Sequence, residues 1–175
     1  MQVIKSLDVD AIDRIRQQWQ QELPELDTSP LETIGRLLRI EFLLASLIRR
    51  LLRTYDLDLG SLDVLATLRR SGAPYRMTPT QLYQELALTS GAMTHRMDTL
   101  ERADLIVRAA DPNDRRGMLA VLTPKGHALI EEAMRGHLNF EAEIAAYLSD
   151  EEQQQMAQLL KKLLVRMEGT NAHDK

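Results

Sequence analysis

At 175 residues, with 44% hydrophobic content and only 4% aromatics, the chain has the length of one domain with a single core and helical extensions, and a helix-forming composition. A formal net charge of -4 excludes a generic nucleic-acid coat, although a local basic face remains open because charges are screened beyond about 10 Å in moderate salt. The absence of cysteine excludes disulfides, thiolate zinc sites and thiol redox sensing.

No stretch reaches the roughly 20 apolar residues of a membrane span. The longest uncharged apolar run, Phe42 to Ile48, is bounded by Glu41 and Arg49. The opening stretch carries acids early and lacks an apolar h-region, so a cytoplasmic protein without a signal peptide is expected. Many acids lie near the two ends, from Asp8 to Asp27 and again at Asp150, Glu151 and Glu152.

Ile12, Ile15, Trp19 and Leu23 recur at helical spacing and predict a helix over about 8–23, ended by Pro24. A long helix over about 31–55 follows, rich in Leu, Ile and Arg. Ser61 is the expected cap of a helix over 62–70, which stops at Ser71-Gly72. Thr78 with Pro79 is an N-cap followed by proline at the first helical position. The short helix it opens, the turn ALTS and a helix over about 90–103 read as a helix-turn-helix, although the usual turn glycine is missing. Two strands, LIVRAA and MLAVLT, flank the turn-rich DPNDRRG and make a β-hairpin. A hairpin directly behind the second helix makes a winged helix-turn-helix. A helical region over 124–148 follows, then a capping box with Ser149 as cap and Glu152 three residues on. The wide apolar stripe of the last helix, Met156 to Met167, together with the N-terminal stripe, predicts dimerisation through the terminal helices; packing onto their own domain is the plainer alternative. The expected fold is therefore mainly α with a small β-hairpin wing. It divides into N-terminal helices over 1–57, a winged helix-turn-helix over 58–125 and C-terminal helices over 126–175.

In the second helix of the pair, Met93, Met97 and Leu100 form the inward stripe, and Gly91, His95 and Arg102 the outward side. Ser90, Gly91, Thr94 and His95 lie on or beside the N-terminal outward side that enters the major groove in this motif class. Hydroxyls there can bond phosphates or bases, and glycine permits close approach. Arg115 and Arg116 sit at the hairpin tip, from which a guanidinium can enter a narrow minor groove, with Asp114 able to brace one of them. Arg96 stands apart, about 60° from the apolar stripe. An inward arginine requires an acid or a ligand unless its stem merely lies along apolar surface with its head wet.

Asp114, Arg116, Leu122 and Thr123 match the wing signature Asp-x-Arg, five residues, Leu-Thr. On these residues the chain over about 31–168 resembles the MarR family. The resemblance implies a dimer that binds palindromic DNA and loosens when a small ligand enters a cleft. The stretches LDTSPLETIGRLLR, LDVLATLRRSG, MTPTQLYQELALTSGAMTHRMDTLE and NDRRG further resemble the urate-responsive, PecS/HucR-like branch of that family. That branch implies an extra N-terminal helix and a ligand set of Trp19, Asp63, Arg96 and Arg108. Each has a plainer account: Trp19 as packing, Asp63 as a first-turn acid favoured by the helix dipole by roughly 0.3–1 kcal/mol, Arg108 as a solvated strand residue. Taken together they suit a planar anion such as urate, which an arginine fork and an aromatic face can hold. The implied function is a repressor released from a palindromic operator by urate or a related purine. A regulator answering another anion, phenolic or carboxylate, and a winged-helix protein-interaction module are the alternatives. No enzyme, metal or cofactor is expected. His95, His127, His137 and His173 lack metal-ligand spacing, and no Ser-His-Asp set or phosphate-cradling glycine loop occurs.

Overall fold

The computed structural model describes residues 9–86, 90–112 and 114–171, without the side chains of Ser90, Ala92, Arg115, Arg116 and Asn171. The chain divides into two compact units, residues 1–54 and 55–175.

In the first unit, helix α1 (Ala11–Glu22) is opened by a reciprocal cap. The Asp10 carboxylate accepts from the backbone N–H groups of Ile12 and Asp13 at 2.7 and 2.9 Å. Asp13 accepts from the Asp10 N–H in return, at 3.0 Å. A π-helical turn (Leu31–Gly35) leads into α2 (Arg36–Leu52), and a 3-10 turn (Arg53–Tyr55) follows. Arg36 pins α1 in place: its Nε donates to Asp10 at 2.7 Å and its Nη2 to Asp13 at 2.6 Å. Arg16 and Glu32 form a second ion pair in the same unit. The Arg36 hydrogen bond holds the Asp10 carboxyl at about 2, well below the usual carboxylate range, with the Asp13 and Ile12 N–H groups adding to it.

The second unit begins with α3 (Leu59–Arg70), the most buried helix of the chain. Its cap is Asp58, whose carboxylate accepts from the Ser61 N–H at 2.6 Å, and not Ser61 as the sequence suggested. Asp58 wins because a carboxylate accepts an N–H bond more strongly than a hydroxyl. Ser61 is instead buried inside the first turn. Thr78 caps α4 (Pro79–Glu85) in a box with Gln81. Helix α5 (Ser90–Arg102) follows; residues 87–89, which fall in the stretch expected to be a turn, lie outside the described residues.

Strands β2 (Ile106–Asp111) and β3 (Asp114–Leu122) form the hairpin. The second strand starts earlier than the sequence pattern suggested, so the backbone of 115–117 belongs to β3. A short strand β1 (Arg76–Met77), unforeseen at two residues, pairs with the other edge of β3 and gives a three-stranded antiparallel sheet in the order β1-β3-β2. Helices α6 (Pro124–Ala145) and α7 (Asp150–Asn171) complete the unit. Ser149 and Glu152 bond reciprocally at the start of α7, as the capping box predicted.

The core joins Leu62, Val64, Leu65 and Leu68 of α3 to Leu82 of α4 and to Met93, Met97 and Leu100 of α5. Ile106, Leu119 and Ala120 of the sheet and Ile130 and Ala133 of α6 complete it. Each buried Leu or Met contributes roughly 1.5–3 kcal/mol. Leu122-Thr123 of the wing signature has a structural role at the end of this core. The Thr123 hydroxyl donates to the Asp104 carbonyl at 2.8 Å and accepts from the Gly126 N–H at 2.9 Å, so it caps α6 while fastening the end of α5.

Two outcomes are expected. Depression of Asp10 stabilises the folded unit above the unfolded carboxylate value of about 3.9 and is lost as pH falls toward 2. Protection of the α1 amides, taken relative to their intrinsic exchange at each pH, is therefore expected to fall between pH 4 and 2, and Arg36→Ala to lower it already at neutral pH; protection indifferent to both changes would contradict the latch. At Gly126 a Cβ would stand 2.0 Å from the Leu105 carbonyl oxygen. Gly126→Ala is expected to cost about 1–3 kcal/mol, read as a thermal midpoint lowered by several degrees.

Candidate nucleic-acid interface and effector site

Helix α5 meets the surface as its periodicity requires. Met93, Met97 and Leu100 are 1–2% exposed, while Gly91, Thr94, His95 and Arg102 face outward. The space beside Gly91 is open, since a Cβ there would meet nothing within 4 Å. The N-terminal half of the outward face is thus small and polar, the surface a helix needs to approach base edges closely. Ser90 begins the helix, and its side chain lies outside the described residues. The C-terminal half is ordered by Arg102, whose guanidinium donates to the Asp98 carbonyl at 3.1 Å and to the Thr99 hydroxyl at 3.2 Å.

The wing stands behind this helix. Asp114 opens β3, exposed, paired in register with Asp111. Gly117 accommodates both acids: a Cβ there would stand 3.0 Å from the Cβ of Asp111 and 3.1 Å from that of Asp114. The backbones of Arg115 and Arg116 run in β3, and their side chains lie outside the described residues. Arg108 of β2 turns toward α5. It forms an ion pair with Asp98 and reaches Glu101 at 3.5 Å. Two acids on a helix that would approach phosphates are thereby partly neutralised. The sequence reading took Arg108 as a ligand residue or a solvated one and named neither acid; their pairing depends on strand and helix meeting side by side.

Arg96 is drawn inward. Its guanidinium lies over the first turn of α3 at Gly60, and its Nη1 is buried with no hydrogen-bond partner among the described residues. A buried donor left unsatisfied costs on the order of 1–3 kcal/mol, more when charged. Asp63 lies one turn further along α3, partly buried. Burial pushes its carboxyl above the usual range; the charges of Arg96, Arg70 and His137 oppose that shift and Asp58 adds to it. Asp63 and Arg96 therefore sense each other electrostatically, with no ion pair within 4 Å between them. Because the helix starts at Leu59, Asp63 falls in the second turn and the first turn holds no acid. The dipole account of Asp63 loses its basis, since that effect is confined to the first turn.

His137 of α6, without a role in the sequence reading, acts on the same acid through its charge. Its Nε2 lies 3.1 Å from Glu141 and its Nδ1 is buried without a partner among the described residues. Nothing in its spacing could have marked it, because α6 and α3 meet only in the folded unit. A cavity of about 330 Å³ opens at the other end of α3, lined by Thr67, Arg70, Ser71, Met77 and Glu85. In the first unit, Trp19 sits on α1, 45% exposed, in line with Ile15 and Leu23. Among the described residues no group of three His, Asp or Glu side chains could hold a metal ion, and no helix is long and apolar enough to cross a membrane.

A model of the MarR family matches residues 55–117. The HTH-type transcriptional regulator PecS of Dickeya dadantii is 37% identical over 146 residues, covering 83% of this chain and 88% of that protein. The multiple antibiotic resistance protein MarR of Salmonella typhimurium is 34% identical over 120 residues, covering 66% and 81%. Among solved structures, a mutant MarR from E. coli complexed with operator DNA matches with a TM-score of 0.66 at 26% identity, covering 83% of this chain and 97% of that one. With these relatives and this winged-helix architecture, the chain belongs to the MarR family of winged-helix regulators.

Proposed function

We propose that the protein is a homodimeric transcriptional repressor that binds a palindromic operator and leaves it when urate or a related purine anion binds. The DNA-binding part is supported by the small polar N-terminal face of α5 in front of a wing, and by the likeness to a MarR structure complexed with operator DNA. In such a dimer one α5 addresses each half-site, about one helical turn apart, while Arg115 and Arg116 follow the neighbouring minor groove. Ser90, Gly91, Thr94 and His95 meet the major groove. Dimerisation is supported by apolar side chains uncovered in the single chain: Leu38, Ile40 and Phe42 of α2 in the first unit, Leu159, Leu164 and Val165 of α7 in the second.

The effector reading is carried by one observation, the buried Nη1 of Arg96, without a hydrogen-bond partner among the described residues and with the guanidinium within electrostatic reach of Asp63. A planar anion supplies the acceptors that Arg96 lacks, and a guanidinium fork suits it. The Asp63 carboxylate is repelled by the same anion, and burial pushes its carboxyl above the usual range against the charges of Arg96, Arg70 and His137. Trp19 offers an aromatic face for stacking. Arg96 belongs to the DNA-reading helix, so its response to the ligand reaches the DNA face directly. Release requires that the ligand prefer the free form of the protein; tight binding to both forms would shift nothing. A second reading has one observation in its favour. Arg108 is already held by Asp98 and Glu101, so a smaller phenolic or carboxylate anion needing Arg96 alone also fits.

Band-shift titration on DNA upstream of its own reading frame is expected to show release at millimolar urate or xanthine. Binding retained with both would sink the purine assignment, and release by a phenolic acid alone would favour the smaller anion. Arg116→Ala is expected to weaken operator binding at least tenfold, with sedimentation still reporting a dimer. Unchanged affinity would remove the wing from the mechanism.

A further inference from the structure

Gly60 is the second residue of α3 and is buried. Helix α5 sends the Arg96 guanidinium directly across it. A Cβ built on Gly60 would stand 2.2 Å from Nε, 2.5 Å from Cζ and 2.7 Å from Nη2 of Arg96. No real Cβ tolerates such contacts, so a side chain at 60 and the inward guanidinium exclude each other. The glycine is not there for its backbone: its φ lies outside the left-handed region, and within a helix glycine is less favourable than alanine. Its contribution is space.

The surroundings explain what that space does. The guanidinium lies near the positive end of the α3 dipole, where a cation is disfavoured, and its Nη1 has no partner among the described residues. Asp63 is on the same face of α3, three residues on, and feels the charge of Arg96. Arg96 is therefore kept inward by the fit of its flat group on the bare turn, and it stays available to an arriving anion.

We propose that Gly60 is a positioning residue for effector response: by omitting a side chain it seats Arg96 between α3 and α5, so that an anion engaging Arg96 acts on the DNA-reading helix. This rests on the reading above in which Arg96 meets the effector. With a methyl at 60 the guanidinium turns out of its seat. The clashing atoms are the end of a flexible side chain, so the variant still folds.

The test uses the full chain in four forms: wild type, Gly60→Ala, Arg96→Ala and the double variant. With Arg96 removed, Ala at 60 is expected to raise the thermal midpoint by a few degrees, because it improves the helix and the three atoms nearest its Cβ are gone. With Arg96 present, the same change is expected to raise it by clearly less, or to lower it. Equal shifts in both backgrounds would overturn the seat. In band shifts with urate as the probe, Gly60→Ala is expected to raise the concentration for half-release at least tenfold, with operator affinity in its absence within about threefold of wild type. A release midpoint equal to wild type would overturn the coupling. If urate fails to release the wild-type complex, the purine reading falls; the thermal cycle then still decides the seat, non-additivity supporting it and additivity overturning it.

Discussion

Burial of Met93, Met97 and Leu100 against α3 sets the rotation of α5, and most of the functional surface follows from that one packing. On a helix of 3.6 residues per turn, holding these three inside leaves Gly91, Thr94 and His95 outside. It also leaves Arg96 on the seam, where its stem follows the apolar surface and its head reaches the first turn of α3. The face suited to DNA and the group suited to an anion are thus placed by the same interior contacts. Both belong to one helix, held at one rotation by those contacts.

Charge is handled differently on two sides of α5. Asp98 and Glu101 would repel phosphates, and Arg108 of the wing strand draws on both. These are partly exposed pairs, whose contribution to stability is small. Their effect is on the local potential and on how strand and helix are held together. Arg96 is the opposite case, a half-buried cation whose Nη1 has no hydrogen-bond partner among the described residues. Pairing it with Asp63 would satisfy it; the two instead interact at a distance, and burial holds the acid toward its neutral form. An open arrangement of this kind leaves the Nη1 donors of Arg96 free, where a closed ion pair would use them.

The fold was largely legible in the residues because its signals are local. Thr78-Pro79, Ser149 with Glu152, and the breaks at Pro24 and Ser71-Gly72 each act within a few positions. The cap of α3 was misplaced by three residues because both Asp58 and Ser61 can cap, and the choice depends on which one reaches the free N–H groups. Strand β1 was missed because two residues carry no periodicity; only the edge of β3 makes Arg76 and Met77 a strand. In the site, Arg96 announced itself by an angle on a helical wheel. Asp63 was named from resemblance, and its surroundings were not foreseen.

By itself, then, the sequence determined the order of elements, the inward and outward faces of α5, and the presence of an arginine on the boundary between them, since these depend on residues three or four apart. Tertiary structure decided what that arginine meets. Gly60 is 36 positions away from it and His137 stands further along still, on α6. Their convergence on one turn of α3 is set by how α3, α5 and α6 share a core, and that information is written in packing between helices, which no local spacing contains.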